Sequence, residues 1–330
     1  MQEQLARLSM GLEARRVYWS QPQPFALRLF NGFQEGIPGL VIDLFGHTAV
    51  LYNHADPPGD AGLLIDHGRQ ILREKVPLVD AMILKTRASD DRQMRYGILV
   101  EGEEIDRWIR EDDVRYALDL TLNQDASFYL DTRVVRRWAK ETLGGKSVLN
   151  TFAYTGSLGV AAMAGGASRV VHLDLKRRFL NVAKSSYSLN GFAINKGDFL
   201  AQDFFSGVAR MKREGVRFDC VILDPPFFST TNRGRVDLSD SRRLINKVRP
   251  LIHDGGWLVS INNALYVSGE RYVHDLENLC QDGYLEIEEL IPVPEDVTGF
   301  ENTRVPAAVS DPAPFNHSTK IALLRVRRKD

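Results

Sequence analysis

The stretch Phe218-Asp219-Cys220-Val221-Ile222-Leu223 is apolar and strand-like, and it runs straight into Asp224-Pro225-Pro226-Phe227-Phe228. Prolines lack an N–H group and have a fixed φ, so Pro225 and Pro226 predict a rigid, irregular loop. Asp224 and the loop carbonyls are hydrogen-bond acceptors there. Phe227 and Phe228 offer flat faces on which a base can stack, worth ~1–3 kcal/mol per base. A second stretch, Val148-Leu149-Asn150-Thr151-Phe152-Ala153-Tyr154-Thr155-Gly156-Ser157-Leu158-Gly159, reads as strand, turn and helix start. Gly156 lets the backbone come close to a ligand, and the helix N–H groups near Ser157 are available donors. A third strand, Arg169 to Asp174, ends in a carboxylate suited to a pair of ribose hydroxyls. All three ends fall where open α/β sheets bind ligands, beyond the carboxyl ends of the strands.

The elements around these stretches alternate. From about Trp138 the pattern predicts strands at Lys146–Thr151, Arg169–Asp174, Phe218–Asp224, Gly256–Asn262, Leu285–Ile291 and Ile321–Arg327. Helices are predicted at Ser157–Ala164, Lys176–Leu189, Ser239–Arg249 and Gly269–Cys280. Such alternation predicts a mostly parallel sheet covered on both faces. The earlier part is mixed: an amphipathic helix to about Trp19, short strands from Phe25, Leu40 and Thr48, a helix over Asp60–Lys75 and a strand from Val79. Strands flank the acidic stretch Glu101–Asp113, which reads as a solvated loop or helix face. The expected domains are residues 1–118, small and α+β, and residues 119–330, the larger α/β part. Pro292–His317 is too long for an ordinary connector and reads as functional or mobile.

Composition excludes several classes. The 330 residues carry 42 Lys and Arg against 43 Asp and Glu, a formal net charge of -1. A globally basic nucleic-acid binder looks different, which leaves only a local basic face. Arg233, Arg235, Arg242, Arg243, Lys247 and Arg249 make one cluster; Arg136, Arg137, Lys140, Lys176, Arg177, Arg178 and Lys184 make another. The bland reading of both is solvated helix faces. Two cysteines, Cys220 and Cys280, exclude a disulfide framework and a cysteine zinc site, and no metal is expected. No apolar run approaches the ~20 residues of a membrane span, so the cytoplasm is the expected location and no membrane partner is expected. A nicotinamide-dependent oxidoreductase needs G-x-G-x-x-G; here Tyr154 stands two before Gly156, where a pyrophosphate would be crowded.

In combination these stretches resemble a class I S-adenosylmethionine-dependent methyltransferase, and among those the bacterial 23S ribosomal RNA large-subunit enzymes. Four motifs carry the likeness: Leu122 to Arg133, Asn150 to Ser157, Asp174 with the later Leu189-Asn190-Gly191, and Asp224 to Ser229. Gly36 to Asp43 is similar to the small domain that precedes the catalytic one. The resemblance implies a Rossmann-like catalytic sheet behind a smaller N-terminal α/β domain. It implies S-adenosylmethionine as cofactor, with S-adenosylhomocysteine as product. Phe128, Asp131 and Arg133 would close one side near the methionine carboxylate. Asn150 and the segment Phe152, Tyr154, Thr155, Gly156 and Ser157 would wrap the methionine part. Asp174 would hold the ribose, Asp198 and Phe199 would flank the adenine, and Asp224 would border both cofactor and acceptor. Asp224, Pro225, Pro226 and Phe227 would make the catalytic loop. Phe227, Phe228, Asn262, Asn263, Arg233 and Arg235 would meet the substrate.

The likeness has two branches. Cytosine-C5 transfer needs a cysteine nucleophile after the strand matching Leu258-Val259-Ser260, but the positions read Ile261-Asn262-Asn263. The guanine-N7 branch is more similar, since Ser260-Ile261-Asn262-Asn263 parallels its Ser-Asn-Asn. Asn262 and Asn263 are an even choice between a base edge and a capped turn. The expected function is methyl transfer to a base nitrogen of RNA, ribosomal RNA in particular. The alternatives are a small-molecule or protein methyltransferase and, behind it, the oxidoreductase. A homodimer is within expectation.

Overall fold

The structure, a computed structural model, describes residues 2–21, 23–226, 228–231, 234–237, 240–305 and 312–328; side chains are not described at 20, 228–231 and 234–237. The chain forms two units, Met1–Leu130 with Pro294–Ala308, and Asp131–Val293 with Val309–Asp330.

The first unit begins with α1 (Gln2–Ala14), β1 (Ala26–Asn31), α2 (Gly32–Glu35), β2 (Leu40–Phe45) and β3 (Thr48–Asn53). It continues through α3 (Gly62–Lys75), β4 (Ala81–Thr86), α4 (Arg92–Tyr96) and β5 (Ile98–Glu101). These strands form one sheet in the order β1-β2-β3-β4-β5. Only β3 and β4 pair in parallel, because α3 supplies the crossover that a parallel pair requires. A hairpin of β6 (Trp108–Glu111) and β7 (Val114–Ala117) follows. The acidic stretch expected to be a loop or helix face thus holds a strand. Its apolar Ile109 is fully buried while the charged Arg110 and Glu111 are half-buried.

The second unit is α5 (Arg133–Thr142), β8 (Ser147–Thr151), α6 (Ser157–Ala164), β9 (Arg169–Asp174), α7 (Arg177–Leu189), β10 (Phe199–Ala201), α8 (Phe204–Arg213) and β11 (Phe218–Leu223). Then come a hairpin of β12 (Phe228–Thr231) and β13 (Gly234–Asp237), α9 (Ser241–Val248), β14 (Ile252–Asn262), α10 (Gly269–Cys280) and β15 (Leu285–Ile291). After α11 (Glu295–Thr298), which belongs to the first unit, β16 (Lys320–Val326) closes the sheet. The order is β10-β9-β8-β11-β14-β16-β15. The strands from β10 to β14 pair in parallel, and β16 runs antiparallel between β14 and β15. Leu149, Val171, Val221 and Leu258 bury one face with α8, α9 and α10 residues; Val148, Val170, Ile222 and Val259 bury the other with α5 and α6. This is the expected Rossmann-like α/β sheet. The chain enters it in the middle at β8, lays β9 and β10 to one side, then returns to β11 on the other. The crevice where that reversal occurs is the site such a sheet offers to ligands.

Residues 119–130 pack with the first unit, and so do 294–305 of the expected connector 292–317. Side chains explain both. Lys85 Nζ, fully buried, donates to the carbonyls of Tyr96, Asn123 and Asp125 at 2.7, 2.8 and 2.9 Å. Arg87 adds bonds to Gln124 O and the Asp125 carboxylate. These tie residues 123–125 to β4. Fully buried Arg15 pairs with Glu35 at 2.9 Å and donates to Asp296 O at 2.8 Å. Asn31 Nδ2 donates to Val297 O. Burying such groups is tolerable only when they are paired, and the pairing returns 294–305 to the first unit.

Candidate active site

The turn leaving β8 adopts a conformation that its residue types resist. Phe152 and Tyr154 have φ of 51° and 49°, and Gly156 has φ of 80°. A left-handed backbone is uncommon for bulky residues and is concentrated at functional sites. Packing holds it: Phe152 stacks on Phe204 with ring centroids 4.6 Å apart, and Tyr154 meets Phe179 edge-on at 4.6 Å. The Ala153 amide donates to Leu173 O at 3.0 Å, and the Tyr154 amide to Asp174 Oδ2 at 2.9 Å. A Cβ on Gly156 would lie 2.6 Å from Ala183 Cβ, so the turn and α7 come too close for any side chain. Thr155 is buried, and Ser157 opens α6.

Asp174 ends β9. Its Oδ1 accepts from the Lys176 amide at 2.8 Å, which completes the two-amide grip on the carboxylate. Burial pushes its pKa up while the two amides pull it back. Asp224 ends β11, next along the sheet from β8. Burial, and then the Asp131 carboxylate, push it up to about 7. Asp131 accepts from Thr319 Oγ1 at 2.7 Å, which anchors the start of α5 beside β16. Tyr272, whose hydroxyl donates to Ser260 O at 2.8 Å, is raised by burial and by Asp224.

Several expected site residues stand elsewhere. Asp198 precedes β10, and its carboxylate is held by Arg169 at 2.7 Å, at the amino end of β9. Phe199 pairs in register with His172, two positions before Asp174. At ~3.3 Å per residue Asp198 therefore lies some ~10 Å short of the carboxyl edge. Phe199 is spent on packing, stacked on His172 at 5.1 Å. Gln202 and Asp203 occupy the edge instead. The Gln202 amide donates to Asp174 O at 2.9 Å, and Asp203 caps α8 through Ser206. Their only signal was an acid before a helix start, because a three-residue strand is too short to show alternation.

Asn150 is buried with its amide 3.4 Å from His172 Nδ1, inside the sheet face. His172 also lies 3.0 Å from the Tyr187 hydroxyl, and burial lowers it to about 3. Phe128 belongs to the first unit, buried against Tyr116 at 5.1 Å. Asn262 takes the capping role: Oδ1 accepts from the Ala264 amide and Nδ2 donates to Ser241 Oγ, both at 3.0 Å. Asn263 follows it, half-buried. Arg133 is half-buried in the first turn of α5. Pro225 is buried and Pro226 exposed. Phe227 and Arg233 lie outside the described residues, as do the side chains of Phe228 and Arg235.

The basic clusters are partly consumed. Arg136 is buried and donates to Thr132 Oγ1. Arg242 lies 3.6 Å from Asp275, and Arg249 pairs with Asp282 at 2.8 Å. Lys176 and Arg178 lie over Phe179, and Arg243 over Phe205. Cys220 is fully buried in β11 and Cys280 half-buried in α10; burial pushes both thiols up, against thiolate chemistry.

The profile of the S-adenosylmethionine-dependent methyltransferases matches residues 80–283, well over half of the chain. The chain belongs to that family. It is an enzyme, and S-adenosylmethionine is its methyl donor. YwbD of Bacillus subtilis is 25% identical over 97% of this chain and 80% of its own. The ribosomal RNA large subunit methyltransferase I of Photobacterium profundum is 27% identical over 86% of this chain and 72% of its own. The crystal structure of SMU.776 complexed with S-adenosylhomocysteine shares the fold, with a TM-score of 0.84 and 21% identity over 98% of this chain and 81% of that one. The groups at the carboxyl edge suit this methyltransferase family's cofactor. Each carboxylate oxygen accepts more than one hydrogen bond, so Asp174 can hold a diol while its two amides keep it in place. Among the described residues no helix is long and apolar enough to cross a membrane.

Proposed function

We propose that the enzyme methylates a base nitrogen of ribosomal RNA, in the manner of guanine N7. The observation that carries the reading is Asp224, a raised, half-buried carboxyl at the end of β11 that leads into two prolines. The bound sulfonium supplies an already activated methyl group. The protein's task is then alignment, which places the acceptor ~3–3.5 Å from the methyl and in line with it. Asp174 holds the ribose, with Gly156 and the turn Phe152–Thr155 along the methionine part. Gln202 and Asp203 take the adenine side in place of Asp198 and Phe199. Asp131 and Arg133 stand at the methionine end. Ionised Asp224 accepts from an N–H edge of the base, while Pro225 and Pro226 fix its direction. Phe227 and Phe228 supply the stacking face, with Asn263, Arg233 and Arg235 toward the rest of the acceptor. A ring nitrogen with a lone pair needs no general base, which fits a site where Asp224, the acid assigned to the acceptor, is partly protonated near neutrality.

Ribosomal RNA methylation in the named relative supports the substrate class. The balance of Lys and Arg against Asp and Glu, and the paired Arg242 and Arg249, favour the second reading, a small-molecule or protein acceptor. Two measurements separate them. Mass spectrometry of ribosomal RNA nucleosides from a strain lacking the gene should show one methylated purine missing. RNA binding should fall steeply with added salt, as phosphate contacts release counterions. An intact nucleoside profile with salt-independent binding would hand the reading to the small-molecule or protein class.

A further inference from the structure

The loop after β14 is held more firmly than its exposure warrants. Strand β14 pairs with β11, Leu223 opposite Ser260, so the chain leaves both strands on the same carboxyl edge, side by side. Asn262 caps the turn through the Ala264 amide and is itself tied to Ser241. Lys320, 2% exposed at the start of β16, donates Nζ to Ala264 O at 2.8 Å and Val267 O at 2.7 Å. Ser268 then caps α10 through the Arg271 amide. A buried ammonium is a costly way to fix a loop, and it is stable there because two carbonyls receive it.

What this scaffold presents is apolar. Leu265 is 76% exposed and Tyr266 59%, the most exposed large aliphatic and the most exposed aromatic side chain among the described residues. On either side of them Ala264 is buried and Val267 packs against the core. A rigid aromatic face costs little conformational entropy to bring against a planar partner. Its neighbour along the edge is the Asp224-Pro225-Pro226 loop.

We infer that Tyr266, backed by Leu265 and held by the Lys320 clamp, is a substrate-positioning residue that stacks on a flat heteroaromatic base of the RNA acceptor. The inference rests on the RNA reading above and adds a residue to it. In the sheet β14 stands two strands from β8 and three from β9, so Tyr266 is assigned to the acceptor rather than to the cofactor.

The test uses the full-length enzyme, undermodified ribosomal RNA from a strain lacking the gene, and the variants Tyr266→Ala and Tyr266→Phe. Loss of a stacked base, at ~1–3 kcal/mol, corresponds to roughly a 5- to 150-fold fall in kcat/KM for RNA in Tyr266→Ala. The fall should lie mainly in KM, and Tyr266→Phe should restore most of it. Cofactor affinity by calorimetry and the unfolding temperature should match the parent in both, because the side chain is exposed. A parent that methylates RNA and a Tyr266→Ala variant that does so equally well would overturn the inference and leave the RNA reading standing. A parent that transfers no methyl group to RNA would remove the reading, and the inference with it.

Discussion

The backbone amide of Tyr154 donates to Asp174 Oδ2 at 2.9 Å, so the turn after β8 is fastened to the end of β9 by the carboxylate itself. One residue thus shapes the turn and faces the ligand edge. Asp174→Ala should weaken S-adenosylmethionine binding by ~1.5–3 kcal/mol, the worth of hydrogen bonds to a charged group. Titration calorimetry gives the number directly, and an unchanged affinity would take Asp174 out of the site.

Asp198 and Asp203 provide a paired comparison. Asp203→Ala should reduce cofactor affinity by ~0.5–1.5 kcal/mol. It should also lower stability by about 1 kcal/mol through loss of the α8 cap. Asp198→Ala should lower stability, since Arg169 loses its partner, yet bind the cofactor as the parent does. The opposite pattern would put the adenine beside Asp198.

The raised carboxyl at Asp224 predicts two pH effects of opposite sense. The folded state holds a proton from about pH 4 to about 7 that the unfolded chain has released, so stability falls as pH rises through that window. Transfer needs the ionised form and should rise through the same region, near pH 7. Asp224→Asn should therefore be more heat-stable than the parent at pH 8 while transferring far more slowly. Asp131→Asn removes the second cause of the shift, and the midpoint of its rate profile should move to lower pH. A midpoint that stays put would separate the two carboxyls.

Neither cysteine should matter for transfer. Cys220 lies four residues before Asp224 within the sheet, and its thiol is buried and protonated. The double variant Cys220→Ala, Cys280→Ala should be less stable, because a buried side chain is trimmed, but should retain activity when folded. A folded double variant without activity, or an RNA adduct trapped on the parent, would restore a cysteine-dependent cytosine mechanism.

The sequence by itself determined the strands that carry Asp174 and Asp224, the turn containing Gly156 and the α/β alternation. Each rests on local signals: apolar runs of strand length, a carboxylate or glycine at the run's end, and helical spacing between them. The absence of a usable nucleophilic cysteine was equally legible, because it is a matter of which residues are present. Tertiary structure decided the rest. Asp198 and Asp203 are both acids beside a short strand, and only pairing register shows which one reaches the carboxyl edge. Asn262 had two roles open to it until Ser241, 21 positions earlier, appeared beside its amide. The grip of Arg15 on Asp296 spans 281 positions and moves a whole segment into the first unit. Lys320 beneath the Tyr266 loop carries no motif at all. A local pattern reports burial and turn propensity along a few residues. Which distant partner satisfies a buried donor is settled only when the sheet is assembled.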